Sequence, residues 1–486
     1  MEKGYTQPSP VPTTRSRPSL IGTFVLTVLF VLAVFAQLSI VTISLKSSSA
    51  DAPARLPSDL HPSTAELDRK IDWSWLSHER QCPHLAEISV DEFTARRDRL
   101  AQLLSKEVTN GWGAYVTEPS ANTLYFLNLT QSDWYLSERP WLAVITPLSS
   151  ENSRGPQHRL SILTPAFEKS RSERLPFAID KQQDISWVTW EESENPYEVL
   201  VQHLAGLRGQ GEWSIQIEEN VRQFVATGIA QAAQDLKTQA RVGLVELEVR
   251  ELRMRKTEAE LHIQRCVAKI TLEALRAVRK HLRIGMTEKE GEALIVNALN
   301  AGGLTNIGAI VLFGENAALP HAAAGSRRLK RHEFALFDSD FTRTMLPDAE
   351  DGKTCQWPSV QARKIYTTVQ RAQRAALDKL ETRGEGDVVR ASEVDQAARQ
   401  VIREQGWDQY FTHRLGHGIG IEVHEHPFLN SGNTKQQLQP GETFSNEPGI
   451  YIEGSIGVRL EDMVLKTENG WELISGSDLA RSPCDP

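Results

Sequence analysis

Between residues 412 and 462 the chain gathers side chains suited to binding a metal ion. His413, His417 and His424 are interleaved with glycines, including Gly416-His-Gly418. Two carboxylates follow: Glu447, ahead of Pro448-Gly449, and Glu461, inside Val458-Arg-Leu-Glu-Asp-Met-Val464. One imidazole with carboxylates and no thiol is a donor set for a hard or intermediate divalent ion, Mn²⁺ first, with Zn²⁺ or Co²⁺ as alternatives. The flanking glycines leave room for a metal or ligand to approach the backbone. His417 and His424 face opposite ways on a straight strand, so a turn at Gly418 or Gly420 must bring them to one cavity. Strand alternation places Arg459 and Glu461 on one face, where an inward carboxylate is costly unless paired or metal-bound. The plainer reading is a structural histidine and an Arg459–Glu461 ion pair at a solvated edge.

A second set lies upstream. Asp338 and Asp340 stand two apart in Leu336-Phe-Asp-Ser-Asp-Phe-Thr-Arg-Thr344, and His321 follows Leu319-Pro320. On a strand two such carboxylates share a side about 6.5 Å apart and could converge on one ion. A hairpin between them would need turn residues that this spacing lacks.

Strands and helices must position these groups. The sequence predicts strands at Ile307–Phe313, Glu333–Phe337, Thr443–Ser445, Gly449–Ile452 and Gly457–Leu465. It predicts helices after the capping boxes Thr257-Glu-Ala-Glu260 and Thr287-Glu-Lys-Glu290 and over 359–382 and 391–405, an α+β domain spanning 246–480. Ahead of it, 86–245 reads as an α/β domain. It opens on the capping pattern Ser89-Val-Asp-Glu92, with strands at Ala114–Thr117, Leu124–Leu127, Trp141–Thr146, Leu160–Leu163, Trp187–Trp190 and Trp213–Ile217 and a helix over Val221–Ala240.

Residues 20–45 carry no charged side chain over a length sufficient to cross a bilayer. They predict a single-pass signal anchor behind a cytoplasmic tail (1–19), with a stalk (46–85) and a lumenal or extracellular catalytic domain, secreted if the segment is cleaved. Asn128-Leu-Thr130 is a glycosylation acceptor in that topology. The net charge of −9 supplies no basic patch for nucleic acid. Cys82, Cys266, Cys355 and Cys484 allow three full pairings, and their spacing does not choose among them.

The segments from His321 to Asp462 resemble the pita-bread metallopeptidases: methionine aminopeptidase, aminopeptidase P, prolidase and creatinase. The resemblance runs from about 246 to 475, and the preceding domain is similar to the amino-terminal domain of the last three. It implies two metal ions held by Asp338, Asp340, His417, Glu447 and Glu461, with Glu447 also handling the proton of a bridging water. It further implies His321 and His424 as substrate-facing imidazoles, His413 as a further active-site histidine and Arg459 as a substrate contact. The expected substrate is a peptide with proline second, and relatives form homodimers or tetramers. The family's hairpin between the two aspartates is longer than the Asp338–Asp340 spacing permits. Two further readings therefore stand beside the peptidase: a pita-bread binding module that does not cut, and a hydrolase of small C–N compounds.

Overall fold

The computed structural model describes residues 71–486 except 86, 108–111, 149–156, 181–183, 209–212, 349–355, 382–387, 477–478 and 481. The tail, the apolar segment 20–45 and most of the expected stalk lie outside the described residues. The expected membrane topology is corrected: no helix among the described residues is long and apolar enough to cross a membrane.

Apolar side chains on both faces bury the first sheet. Its strands are β1 (Trp112–Thr117), β2 (Leu142–Pro147), β3 (His158–Pro165), β4 (Ile185–Trp190), β5 (Trp213–Ile217) and β6 (Arg241–Leu244), in the order β4-β3-β2-β1-β5-β6. β1, β5 and β6 run parallel, while β2 is antiparallel to β1 and β3. Helices α1 (Val90–Gln102), α2 (Ala121–Leu127), α3 (Pro196–Leu207) and α4 (Gln223–Asp235) belong to this domain, and near-continuous burial along β1, β2 and β5 fits a sheet covered on both sides. The run Leu124–Leu127, expected as a strand, is helical because Ser120 and Thr123 form a reciprocal cap just before it. Asn128 ends that helix at φ 61°, a left-handed C-cap, which accounts for an Asn there without a glycan. At Ser89 half of the expected capping box forms: Ser89 accepts from the Glu92 N–H, while the Glu92 carboxylate turns to Arg96.

A linker helix, α5 (Leu247–Met254), leads into the second domain. There both predicted capping boxes close, at Thr257/Glu260 and Thr287/Glu290, and start α6 (Glu258–His281) and α7 (Glu288–Ala301). Strands β7 (Ile310–Phe313), β8 (Ala335–Asp338) and β9 (Thr342–Met345) form a three-stranded antiparallel sheet. Helices α8 (Val360–Leu380) and α9 (Ala391–Glu404) follow. Then come β10 (Gly416–Gly418), β11 (Glu425–Leu429), β12 (Thr443–Asn446), the hairpin β13 (Gly449–Ile452)–β14 (Ile456–Arg459), β15 (Asp462–Lys466) and β16 (Trp471–Leu473), with sheet order β11-β10-β12-β15-β16. One core packs α8 and α9 against this sheet, and another packs α6 and α7 against the aspartate hairpin.

Two expectations change here. The single strand foreseen over Gly457–Leu465 is two strands in different sheets, broken at Leu460-Glu461. Residues 71–85, assigned to the stalk, dock on the second domain: Trp73 and Leu76 enter the α6/α7 core, and Cys82 is bonded to Cys266 on α6 (Cα–Cα 5.9 Å). Burying two such side chains contributes about 1.5–3 kcal/mol each, enough to hold a short segment in place.

Candidate metal centre

β10 carries His417 between two glycines, and the reason for those glycines is steric. A Cβ at Gly416 would lie 1.9 Å from the Ser445 carbonyl oxygen, and one at Gly418 would lie 2.1 Å from that of His426. The free space serves neighbouring backbone, not a ligand as the sequence suggested. A register shift between His417 and Gly418, followed by the bends at 420–424, reverses the chain. The His424 ring thereby comes to 4.2 Å from that of His417, edge to face. The turn that the sequence required between these histidines is present.

β12 delivers Glu447 to the same place and the break after β14 delivers Glu461. Ligand atoms of His417, Glu447 and Glu461 lie within 4.8 Å of one another. His417 Nε2 is 3.2 Å from Glu447 Oε1, and the Ser445 hydroxyl, 3.1 Å from the same oxygen, also accepts from the His417 N–H. His417 Nδ1 faces the Gly418 carbonyl at 3.1 Å, and a hydrogen on Nδ1 would leave Nε2 available to a metal ion in place of its contact with Glu447. Glu461, 4% exposed, accepts from the Thr342 hydroxyl at 2.7 Å.

The electrostatics suit a cation. Burial, then the charges of Glu447 and Asp338, raises the Glu461 carboxyl well above its ordinary range. Burial would raise Glu447 too, but the His417 hydrogen bond and the charges of His413, His417 and Arg459 outweigh it and hold that carboxyl low. One buried and one half-buried carboxylate and one imidazole nitrogen, converging with the buried carboxylate pushed toward protonation, form a donor set that suits a divalent ion.

The two aspartates stand apart from this group. β8 and β9 pair as a tight hairpin with Asp338 opposite Thr342, so the reversal judged unavailable from the spacing is made by Ser339-Asp340-Phe341 alone. Asp340 makes it possible by adopting φ 61°, a left-handed conformation that Asp tolerates better than most residues. It is exposed at the tip. Its carboxyl is raised by the surrounding protein and by Asp338 and drawn down by His417, so it lies within electrostatic reach of the group. Asp338 is ion-paired with the Arg459 guanidinium.

Arg459 was expected at a solvated edge with Glu461, or as a substrate contact. It is 2% exposed, and each arm is committed: Nε donates to the Thr342 hydroxyl (3.0 Å), one terminal nitrogen to Tyr451 Oη (3.1 Å), the other to Asp338. His413 Nε2 meets the same Tyr451 oxygen at 2.8 Å, and its Nδ1 faces the Arg414 carbonyl at 2.6 Å. Burial pushes the Tyr451 phenol up to about 12, against the pull of Arg459, and lowers His413 and His424. His321 is exposed and close enough to lower both of those imidazoles by its charge. Sequence reasoning gave no role to Thr342, Ser445 or Tyr451. Each lies within two to four residues of a named ligand, and only folding shows which hydroxyl turns toward it.

The fold and this group define a domain with a candidate metal site behind an α/β amino-terminal domain. The model of metallopeptidase family M24 matches residues 262–468. A peptidase of Schizosaccharomyces pombe, itself described as uncharacterized, is 36% identical over 409 residues, covering 82% of this chain and 84% of that protein. An uncharacterized peptidase of Staphylococcus haemolyticus is 34% identical over 247 residues, 49% of this chain and 66% of that protein. Among solved structures, dipeptidase PepE from Mycobacterium ulcerans is 25% identical with a TM-score of 0.64, covering 80% of this chain and 96% of its own. The X-Pro aminopeptidase from Thermotoga maritima is 26% identical with a TM-score of 0.58, covering 80% and 99%. The chain belongs to metallopeptidase family M24, and its architecture is the pita-bread fold preceded by a creatinase-like domain.

Proposed function

We propose that this chain is a metal-dependent peptidase that hydrolyses the bond between an amino-terminal residue and a following proline. The observation that carries the reading is the convergence of His417, Glu447 and Glu461 within 4.8 Å, with His424 packed on His417. The Thermotoga maritima X-Pro aminopeptidase, a neighbour by fold, supports the proline preference. The donor set suits Mn²⁺, with Zn²⁺ and Co²⁺ as alternatives. An ion bound there would polarise the scissile carbonyl and acidify the attacking water.

The chain's residues supply the rest. Glu447, kept low by His417, His413 and Arg459, is ready to accept a proton and return it to the leaving nitrogen. His424, lowered in basicity by burial, and the neighbouring His321 are both exposed and would donate to the carbonyl oxygen. His413 is braced by Tyr451 and Arg414 and positions that relay. The three converging residues would hold one ion. A second would need Asp338 released from Arg459 and Asp340 turned inward from the hairpin tip.

A second reading is favoured by one observation: with Asp338 engaged by Arg459, the domain can hold a peptide without cutting it. Incubating the purified chain with Mn²⁺ and Xaa-Pro dipeptides or longer Xaa-Pro peptides, and weighing the products by mass spectrometry, separates the two. Release of the first residue is expected. No release from folded, metal-loaded protein sinks the peptidase and leaves the binding module.

A further inference from the structure

Open α/β sheets place ligands outside the carboxyl ends of their parallel strands. Here β5 ends at Ile217 and β6 at Leu244, and the next residues, Glu218 and Val245, line a cavity of about 310 Å³. Val249, Arg250 and Arg253 of α5 close one wall, and Glu422, His424 and Glu425 of the second domain close the other. That volume is at the lower end of small-ligand pockets, roughly 300–1,000 Å³.

Most charges in the wall form close ion pairs, and one carboxylate oxygen is left without a hydrogen bond. Arg250 meets Glu219 at 3.1 Å; Arg253 meets Glu422 at 2.9 Å and Glu425 at 2.6 Å; Lys256 meets Glu425 at 2.6 Å. Glu218 is 2% exposed, its Oε1 accepts from the Asn220 N–H at 3.1 Å, and its Oε2 is buried with no hydrogen-bond partner among the described residues. Nε of Arg250 and of Arg253 is likewise buried without an acceptor among the described residues. An unpaired buried carboxylate is costly, and a cation brought beside it offsets that cost. Burial raises the Glu218 carboxyl, against the Asn220 N–H, the charge of Arg253 and the Asn122 side chain, which draw it down.

The cavity adjoins the metal group, because His424 lines it and stacks edge-on to His417. We propose that this interdomain cavity is a cation subsite, taking the guanidinium or ammonium side chain of a basic residue, with Glu218 as its counter-charge. As a substrate subsite it rests on the peptidase reading above; as a site for an organic cation it does not.

Calorimetric titration of the full chain, with and without Mn²⁺, compares L-argininamide with L-norleucinamide. The wild type should bind the arginine amide about tenfold tighter or more, and Glu218→Gln should erase that preference while melting as a folded protein. Equal affinities, no measurable binding of either amide, or an undiminished preference in Glu218→Gln overturns the proposal. Should that variant fail to fold, the wild-type comparison still decides. Hydrolysis takes no part in the readout, so failure of Xaa-Pro cleavage and failure of this site are told apart.

Discussion

Asp338 on β8 and Arg459 at the end of β14, 121 positions apart in the chain, are ion-paired beside the metal group, and the same guanidinium reaches Thr342 and Tyr451. An aspartate held this way is not free to ligate. Metal content of the purified, Mn²⁺-dialysed protein should therefore be one ion per chain. Asp338→Asn should keep that ion at a stability cost of about 1–3 kcal/mol, and Glu461→Gln should lose it. Elemental analysis reads the outcome: loss of the ion from Asp338→Asn would return Asp338 to the ligand set.

Thr342 donates to Glu461 and accepts from Arg459, which orients the carboxylate. Removing that hydroxyl while preserving shape, in Thr342→Val, should weaken metal affinity by about 10–100-fold, as loss of a ligand's hydrogen-bond partner does elsewhere. A competitive chelator titration measures it, and unchanged affinity would mean that the ligand needs no such support.

Glu442, buried at the start of β12, titrates outside the site. Desolvation is the main cause that lifts its carboxyl to about 7, against the hydrogen bond from the Gln439 N–H. A raised carboxyl means that the folded state binds the proton more tightly than the unfolded one. This group's contribution is therefore full at low pH and is lost as pH rises from the ordinary carboxylate value toward 7. The loss is on the order of 3 kcal/mol at most. Glu442→Gln should flatten that part of the profile, so the variant's gain in melting temperature at pH 8 should exceed its gain at pH 5.

The Cys82–Cys266 bond closes a loop spanning 184 positions. Chain-entropy reasoning assigns such a loop about 5 kcal/mol at most, with measured values more often about 2–4. Cys82→Ser should lower the midpoint of denaturant unfolding accordingly, and proteolysis near residue 85 should quicken. An unchanged midpoint would show that Trp73 and Leu76 hold the segment unaided.

Much of the second domain was legible because its signals are local. The Thr257 and Thr287 capping boxes need only residues three apart, and His417, Glu447 and Glu461 sit in short motifs whose residue types already suit an ion. What stayed hidden depends on contacts distant in sequence. Gly416 and Gly418 are explained by the backbone of β11 and β12, and Arg459 by an aspartate in another sheet. Local propensity also misled at Leu124–Leu127, where an apolar run too short for its period to be read was decided by a cap.

The three-residue tip of the β8–β9 hairpin links loop length to stoichiometry. Because Ser339-Asp340-Phe341 must spend its residues on reversing the chain, Asp340 faces no strand partner, and Asp338 is ion-paired with Arg459. An insertion at that tip would leave the paired register of both strands intact while freeing a carboxylate to sit across from its neighbour. Loop length at this tip would then set how many carboxylates the scaffold can turn toward an ion, with the residues on both strands unchanged.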